Sequence, residues 1–235
     1  MKLKVIVIVL ALSAIAASCS PLAPIRDHTK FFMLSPISEG GVIKADAPVA
    51  QQVSIGVGPI DFPDYLRRHE VVTRTAANRI DVSSENRWAG PLDKNFADVL
   101  SENLATLLNT QRVESYPWNR SVAVDYQVVV SVQRFDTSPD GQSKLIARWS
   151  IKHGPDGKQL YATQTASSVP IGSGSDAASA ALSSDVAMLS REIASQVTLL
   201  SQTHVQQSRA AVQNPGTRSP RLESTLALSG ASGER

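Results

Sequence analysis

The residues best suited to acid–base chemistry are carboxylates between positions 61 and 85: Asp61, Asp64, Glu70, Asp81 and Glu85. A pair of such groups at close range can serve as general acid and general base. The sequence gives no evidence that any two of them lie close together, so solvated loop charges are the preferred interpretation. The four histidines are scattered, and the sequence contains no HExxH motif, Walker sequence or nucleophile elbow. The sequence therefore predicts a protein that is not an enzyme and needs no metal or other cofactor.

The single cysteine, Cys19, stands where covalent modification is expected. Lys2 and Lys4 precede a run, residues 5–17, that is apolar apart from one serine. This run is shorter than the roughly 20 residues of a membrane span, and it is typical of a secretory signal peptide. Residues 15–19 read Ile-Ala-Ala-Ser-Cys and resemble a bacterial lipobox, although Leu is preferred where Ala16 stands. The motif predicts that residues 1–18 are removed and that Cys19 carries acyl groups. The alternative is an ordinary signal peptide cut near Ala17.

Residues 19–29 are predicted to be the lipidated N-terminus and a short tether, because they contain Pro21 and Pro24 and show no apolar period. Two or three acyl chains give firm membrane anchoring, whereas one gives only marginal binding. Ser20 follows the cysteine, where Asp is the familiar inner-membrane retention signal of enteric bacteria. The prediction is therefore the periplasmic face of the outer membrane of a Gram-negative bacterium.

The charge balance argues against a nucleic-acid partner held by bulk charge. Two of the 23 Lys and Arg residues lie in the leader, which leaves 21 against 21 Asp and Glu in the mature chain. Nucleic-acid binders need a basic surplus to meet the phosphates. One cysteine also excludes an intramolecular disulfide framework and a multi-cysteine metal site.

The hydrophobic pattern predicts two long amphipathic helices and about seven strands. Apolar residues recur at helical spacing over residues 91–109 and 176–207. Strands are expected at 30–35, 52–58, 71–74, 79–83, 122–134, 144–152 and 159–168, the last three joined by turns at Asp140-Gly141 and Asp156-Gly157. We expect one α/β domain, residues 30–207, with a mixed, mostly antiparallel sheet. Residues 208–235 are predicted to be a disordered tail.

Several short motifs appear in a distinctive order along the predicted domain. Residues 30–35 (KFFMLS) are followed by residues 55–68 (IGVGPIDFPDYLRR), 87–92 (RWAGPL), 116–118 (YPW) and 134–136 (RFD). Together with the lipobox, this order resembles the ABC-type transport auxiliary lipoprotein family over about residues 30–200. There are two departures. The family pattern Tyr-Leu-Asp-Arg-Pro-Gln reads Tyr-Leu-Arg-Arg-His-Glu at residues 65–70, and Gly90 stands where the family has Glu.

The resemblance implies a partner protein in lipid transport between membranes. Members of the family accompany MCE-domain proteins, some of which work with an ABC permease and ATPase, and some members form homo-oligomeric rings. The implied role is to dock the periplasmic MCE assembly at the outer membrane. The implied fold is similar in shape to the TolB N-terminal domain and LpoB. A rival function is that of an LpoB-like lipoprotein that regulates a cell-wall synthase. About ten residues separate Cys19 from the first strand and reach some 35 Å at most, which favours docking close to the membrane.

Four residues near two of these motifs are candidates for a partner or self-association surface: Tyr65, Leu66, Arg68 and Trp88. Tyr, Trp and Arg are enriched at binding hot spots. The alternative is that Tyr65 and Trp88 fill the edge of the core while Pro59 and Pro63 shape a loop. The sequence leaves both interpretations open.

Overall fold

A mixed sheet with two helices on one face forms the domain. The computed structural model describes residues 28–38, 53–119, 121–174 and 176–213. The strands are β1 (Lys30–Phe32), β2 (Ile55–Asp61), β3 (Glu70–Ala76), β4 (Arg79–Trp88), β5 (Val113–Ser115), β6 (Tyr126–Ser138), β7 (Gln142–His153) and β8 (Gln159–Pro170). The helices are α1 (Leu92–Leu108) and α2 (Ala177–Gln213).

Strand β6 organises the sheet. One edge of β6 pairs antiparallel with β7, which pairs antiparallel with β8. The other edge pairs in parallel with β2 and, further along, with β3. Strand β4 lies between β3 and β1, and β5 runs parallel to β2 at the opposite end. The predicted α/β domain with a mixed sheet and two helices is confirmed, and its longest ladders are antiparallel.

The helices cover the sheet face that carries the apolar side chains. Along β7, alternate residues from Leu145 to Ile151 are buried, as the two-residue period of a strand requires. Phe96 of α1 is fully buried and meets Phe62 and Phe135 edge to face, with ring centres 5.2 and 5.4 Å apart. The predicted helical stripes therefore form the core.

A row of buried polar groups fixes α2 on the sheet. Asp185 is fully buried and accepts hydrogen bonds from Ser143 Oγ at 2.6 Å and Ser167 Oγ at 2.5 Å. Burial raises the pKa of Asp185, although the two hydroxyl hydrogen bonds act in the opposite direction. Asn103 Nδ2 of α1 donates to Ser190 Oγ of α2 at 3.0 Å. Because buried polar groups must be paired, these contacts select one register of α2 against the sheet and against α1.

The strand and helix ends differ from the sequence-based expectations where short-range signals conflict. Strand β2 continues through Pro59 to Asp61, because a register shift between Val57 and Ile60 accommodates the proline. Helix α2 reaches Gln213 rather than residue 207, since residues 208–213 include good helix formers and Asn214-Pro215 follows. The predicted leader, Cys19, the tether up to residue 27 and the tail from residue 214 lie outside the described residues.

Candidate partner-binding site

A single 3-10 turn, Asp64–Leu66, links the end of β2 to β3 and positions Tyr65. Pro63 precedes the turn with φ −65°, and its carbonyl accepts a hydrogen bond from the Leu66 N–H at 2.9 Å. Phe62 and Leu66 are both 2% exposed, so buried side chains hold the turn at each end. Proline and burial together fix this loop against the domain.

Asp136 lies at the centre of the site and is 1% exposed. Arg134 Nε donates to its Oδ1 at 2.7 Å, and Arg74 Nε donates to its Oδ2 at 3.1 Å. Both guanidinium side chains are only 21% exposed. A buried carboxylate is tolerated when charged partners and hydrogen bonds compensate for its lost hydration, and Asp136 meets that condition.

Tyr65 closes this cluster from the turn. Its hydroxyl donates to Asp136 Oδ2 at 3.3 Å, and the Arg74 guanidinium carbon lies 5.4 Å from its ring centre. Burial raises the pKa of Tyr65, and the charge of Asp136 acts in the same direction. Tyr65 is half-buried and packs against the core, so part of its side chain remains accessible.

Arg67, one of the departures from the family pattern, forms its own local pairs. Its Nη2 lies 3.1 Å from Asp61 Oδ1 and its Nε 3.5 Å from Asp64 Oδ1. Its Nε also donates to the Phe62 carbonyl at 3.1 Å. All three charged side chains are at least half exposed, so these ion pairs contribute little to stability. Their effect is to shape the surface of the turn.

The structure separates the four candidate residues into two groups. Leu66 is 2% exposed and Trp88 is 5% exposed, so both belong to the core rather than to a surface. The prediction that Leu66 and Trp88 contribute to a contact surface is therefore wrong. Arg68 is exposed and Tyr65 is half-buried. A partner surface that includes Tyr65 and Arg68 stays a prediction.

Sequence reasoning assigned no role to Asp136, although Arg134-Phe135-Asp136 was part of the motif series. The available signal was an acidic residue inside a strand in which half of the other residues are apolar, because a carboxylate that is buried there needs a cationic partner. The partner Arg74 lies 62 residues away in sequence, so only the paired strands reveal it. Within the described ranges, no group of three or more His, Cys, Asp or Glu side chains is arranged to hold a metal ion.

Comparison with known protein families identifies the family of this chain. The sequence model of the family described as ABC-type transport auxiliary lipoprotein component matches residues 37–194. The chain belongs to the ABC-type transport auxiliary lipoprotein family. It is therefore an auxiliary transport lipoprotein, and proteins of this class are associated with a membrane of the cell envelope. Neither helix in the described part of this auxiliary lipoprotein has the length and apolar content needed to cross a membrane.

Individual relatives agree with the family. The auxiliary lipoprotein is 30% identical over 97 residues to the intermembrane transport lipoprotein PqiC of Escherichia coli, a match that covers 41% of this chain and 50% of PqiC. The chain thus spans about half the length of the curated relatives it matches. A crystal structure of a Xanthomonas campestris protein is similar with a TM-score of 0.59 at 15% identity, covering 75% of this chain and 99% of that one. A crystal structure of an uncharacterized protein is similar with a TM-score of 0.57 at 23% identity, covering 72% of this chain and 99% of that one. These two structures support the fold alone.

Proposed function

We propose that this auxiliary lipoprotein is anchored at the periplasmic face of the outer membrane and docks an MCE assembly there. It would thereby complete an ABC-type system for intermembrane lipid transport. The observation that carries the proposal is the family match over residues 37–194, supported by the similarity to an intermembrane transport lipoprotein. The lipobox around Cys19 supplies the anchor, in the form of covalent acyl groups.

The chemistry of the site supports binding rather than catalysis. Asp136, the buried carboxylate of the site, is held by two guanidinium groups and a phenol hydroxyl. A carboxylate with its oxygens occupied in this way is a poor general base, because a base must reach the proton that it abstracts. The arrangement instead makes the turn at residues 64–66 rigid, and a rigid surface loses less entropy when a partner binds.

The proposed partners are an MCE-domain protein and, through it, an ABC permease and ATPase. A homo-oligomeric ring of this chain belongs to the same proposal, because a ring would present several copies of the Tyr65–Arg68 turn to one assembly. Multiple weak contacts made at once give high avidity. No nucleic acid and no small-molecule cofactor is part of the proposed function.

Separation of inner and outer membranes on a density gradient tests the anchor and its location. We expect the full-length chain in the outer-membrane fraction and a Cys19→Ala variant outside that fraction. Recovery of wild type with the inner membrane would contradict the location, and membrane association of Cys19→Ala equal to wild type would contradict the anchor. Co-purification of the full-length chain from detergent-solubilised membranes tests the partner.

A further inference from the structure

The two most exposed large apolar side chains in the described part of the molecule lie next to each other at β1. Phe31 is 66% exposed and Met33 is 60% exposed, whereas Leu34 is 3% exposed and Phe32 packs against the core. Alternate side chains of an extended segment point in opposite directions. Phe31 and Met33 therefore project together, away from the core.

Cationic side chains flank this apolar pair. Lys30 is exposed at the start of β1, and the exposed Arg87 of β4 is the register partner of Phe31. On the other side of β4, Glu70 of β3 is the register partner of Arg87. Long cationic side chains beside aromatic and aliphatic ones suit the headgroup boundary of a bilayer, where the apolar groups enter and the charges stay in water.

The position of the pair along the chain indicates what covers it. Phe31 is only 12 residues after Cys19. Twelve residues span about 40 Å when fully extended and roughly 20 Å on average as a flexible chain. A lipid anchor at Cys19 would therefore hold β1 within reach of the bilayer. Other exposed apolar side chains, such as Leu199 on α2, lie far from this point in sequence.

We propose that the edge formed by Phe31 and Met33 inserts into the headgroup region of the membrane that holds the Cys19 anchor. This inference rests on the proposed function, because it requires acylated Cys19. Tethering raises the local concentration of the edge at the bilayer, so a small apolar contact is sufficient. The contact would fix the orientation of the domain and direct its other side toward the periplasm.

The experiment places an environment-sensitive probe on the edge of the full-length lipidated protein. Acylation converts the Cys19 thiol into a thioether, so in Met33→Cys the introduced cysteine is the one free thiol. This variant is labelled with the fluorophore NBD and reconstituted into vesicles of phosphatidylethanolamine and phosphatidylglycerol. Leu199→Cys is the matched control, because Leu199 is also apolar and is 52% exposed. Flotation and the number of labels per chain are recorded for both variants.

We expect both variants to float with the vesicles and to carry one label. The emission at position 33 should shift to shorter wavelength, gain intensity several-fold and be quenched by lipid-attached quenchers, while position 199 behaves as in water. Two results with both variants floating would overturn the insertion of the edge and leave the anchor in place. One is water-like emission at position 33 as well as at position 199, and the other is an equal shift at both positions. Failure to float, with two labels per chain, overturns the anchor and the insertion together.

Discussion

Arg74 Nε lies 3.1 Å from Asp136 Oδ2, and this ion pair joins β3 to β6 where those strands share one registered pair, Thr73 with Thr137. The two threonine hydroxyls are also 3.1 Å apart. Few backbone contacts connect the strands at this point. The side-chain contacts of Asp136 therefore hold the β3–β4 hairpin on the rest of the sheet.

Replacement of Asp136 by Asn should destabilise the fold strongly. The change leaves Arg74 and Arg134 without a charge partner while both remain largely buried. Removal of one partner from a buried ion pair costs about 3–5 kcal/mol, and partial exposure of the cations reduces the expected loss to roughly 2–4 kcal/mol. Urea unfolding followed by tryptophan fluorescence measures it. Asp64→Asn is the control, because its exposed pair with Arg67 should contribute less than about 1 kcal/mol. Equal losses in the two variants would contradict the role of Asp136.

The core assignment makes a second prediction. Phe96→Ala and Leu189→Ala should each lower the free energy of unfolding by about 2–5 kcal/mol, because each removes a fully buried side chain and leaves a cavity. Leu199→Ala, on the exposed face of α2, should stay within about 0.5 kcal/mol of wild type. Thermal or urea unfolding measures all three variants. If Phe96→Ala and Leu189→Ala melt like wild type, the helices do not pack as described.

The buried carboxylate of Asp185 predicts a pH dependence of stability. Burial raises the pKa of Asp185, so above its ordinary pKa the folded chain keeps a proton that the unfolded chain has released. Since the folded state then binds more protons, the free energy of unfolding falls as the pH rises through the window between the ordinary and the raised pKa. Asp185→Asn removes this titration. The free energy of unfolding of wild type should therefore fall relative to that of Asp185→Asn as the pH rises from about 4.

Urea titrations of both proteins over the acidic range measure this difference. Parallel stability curves for wild type and Asp185→Asn would contradict the assignment. The measurement is independent of partners, because Asp185 is fully buried between α2 and the sheet.

Periodic segments were predictable because burial imposes a regular pattern. Phe96, Leu100 and Leu104 repeat at helical spacing and are all fully buried on α1, and the Asp-Gly turns correctly placed the β6–β7–β8 meander. Strand β5 escaped prediction because three residues cannot show an alternation. The second half of β4 was missed because residues 84–87 are polar, and pairing with β1 and β3 decides their structure.

The candidate site was less predictable because residue type alone does not separate surface from core. Trp88 and Leu66 have the composition of a hot spot, yet both are buried. Their burial follows from partners distant in sequence, such as Phe32, the register partner of Trp88. Asp136 was missed for a similar reason. Its partner Arg134 is two residues away, but its second partner, Arg74, and the strand that carries Arg74 are remote in sequence. The expected likeness to the TolB N-terminal domain and LpoB stays a prediction.

If the turn at residues 64–68 binds the partner, Arg68→Ala should weaken partner binding without lowering the stability of the fold. Arg68 is exposed, so its removal should change the free energy of unfolding by no more than about 0.5 kcal/mol. Recovery of the partner protein should nevertheless fall several-fold. Tyr65→Phe is the companion variant. It loses the hydrogen bond to Asp136 and about 1 kcal/mol of stability but keeps the half-buried ring, so it should retain the partner. If Arg68→Ala recovers the partner at the wild-type level, the turn is a structural element and the partner binds elsewhere.

The most direct test of the central claim is native co-purification. The full-length chain is expressed in its own cell, the membranes are solubilised in mild detergent, and the proteins that accompany it are identified, with Cys19→Ala as the control. The proposed function predicts an MCE-domain protein, with or without its ABC permease, that is recovered with wild type and depleted with Cys19→Ala. Recovery of a cell-wall synthase without any MCE-domain protein would contradict the transport role and establish the regulatory alternative on the same fold.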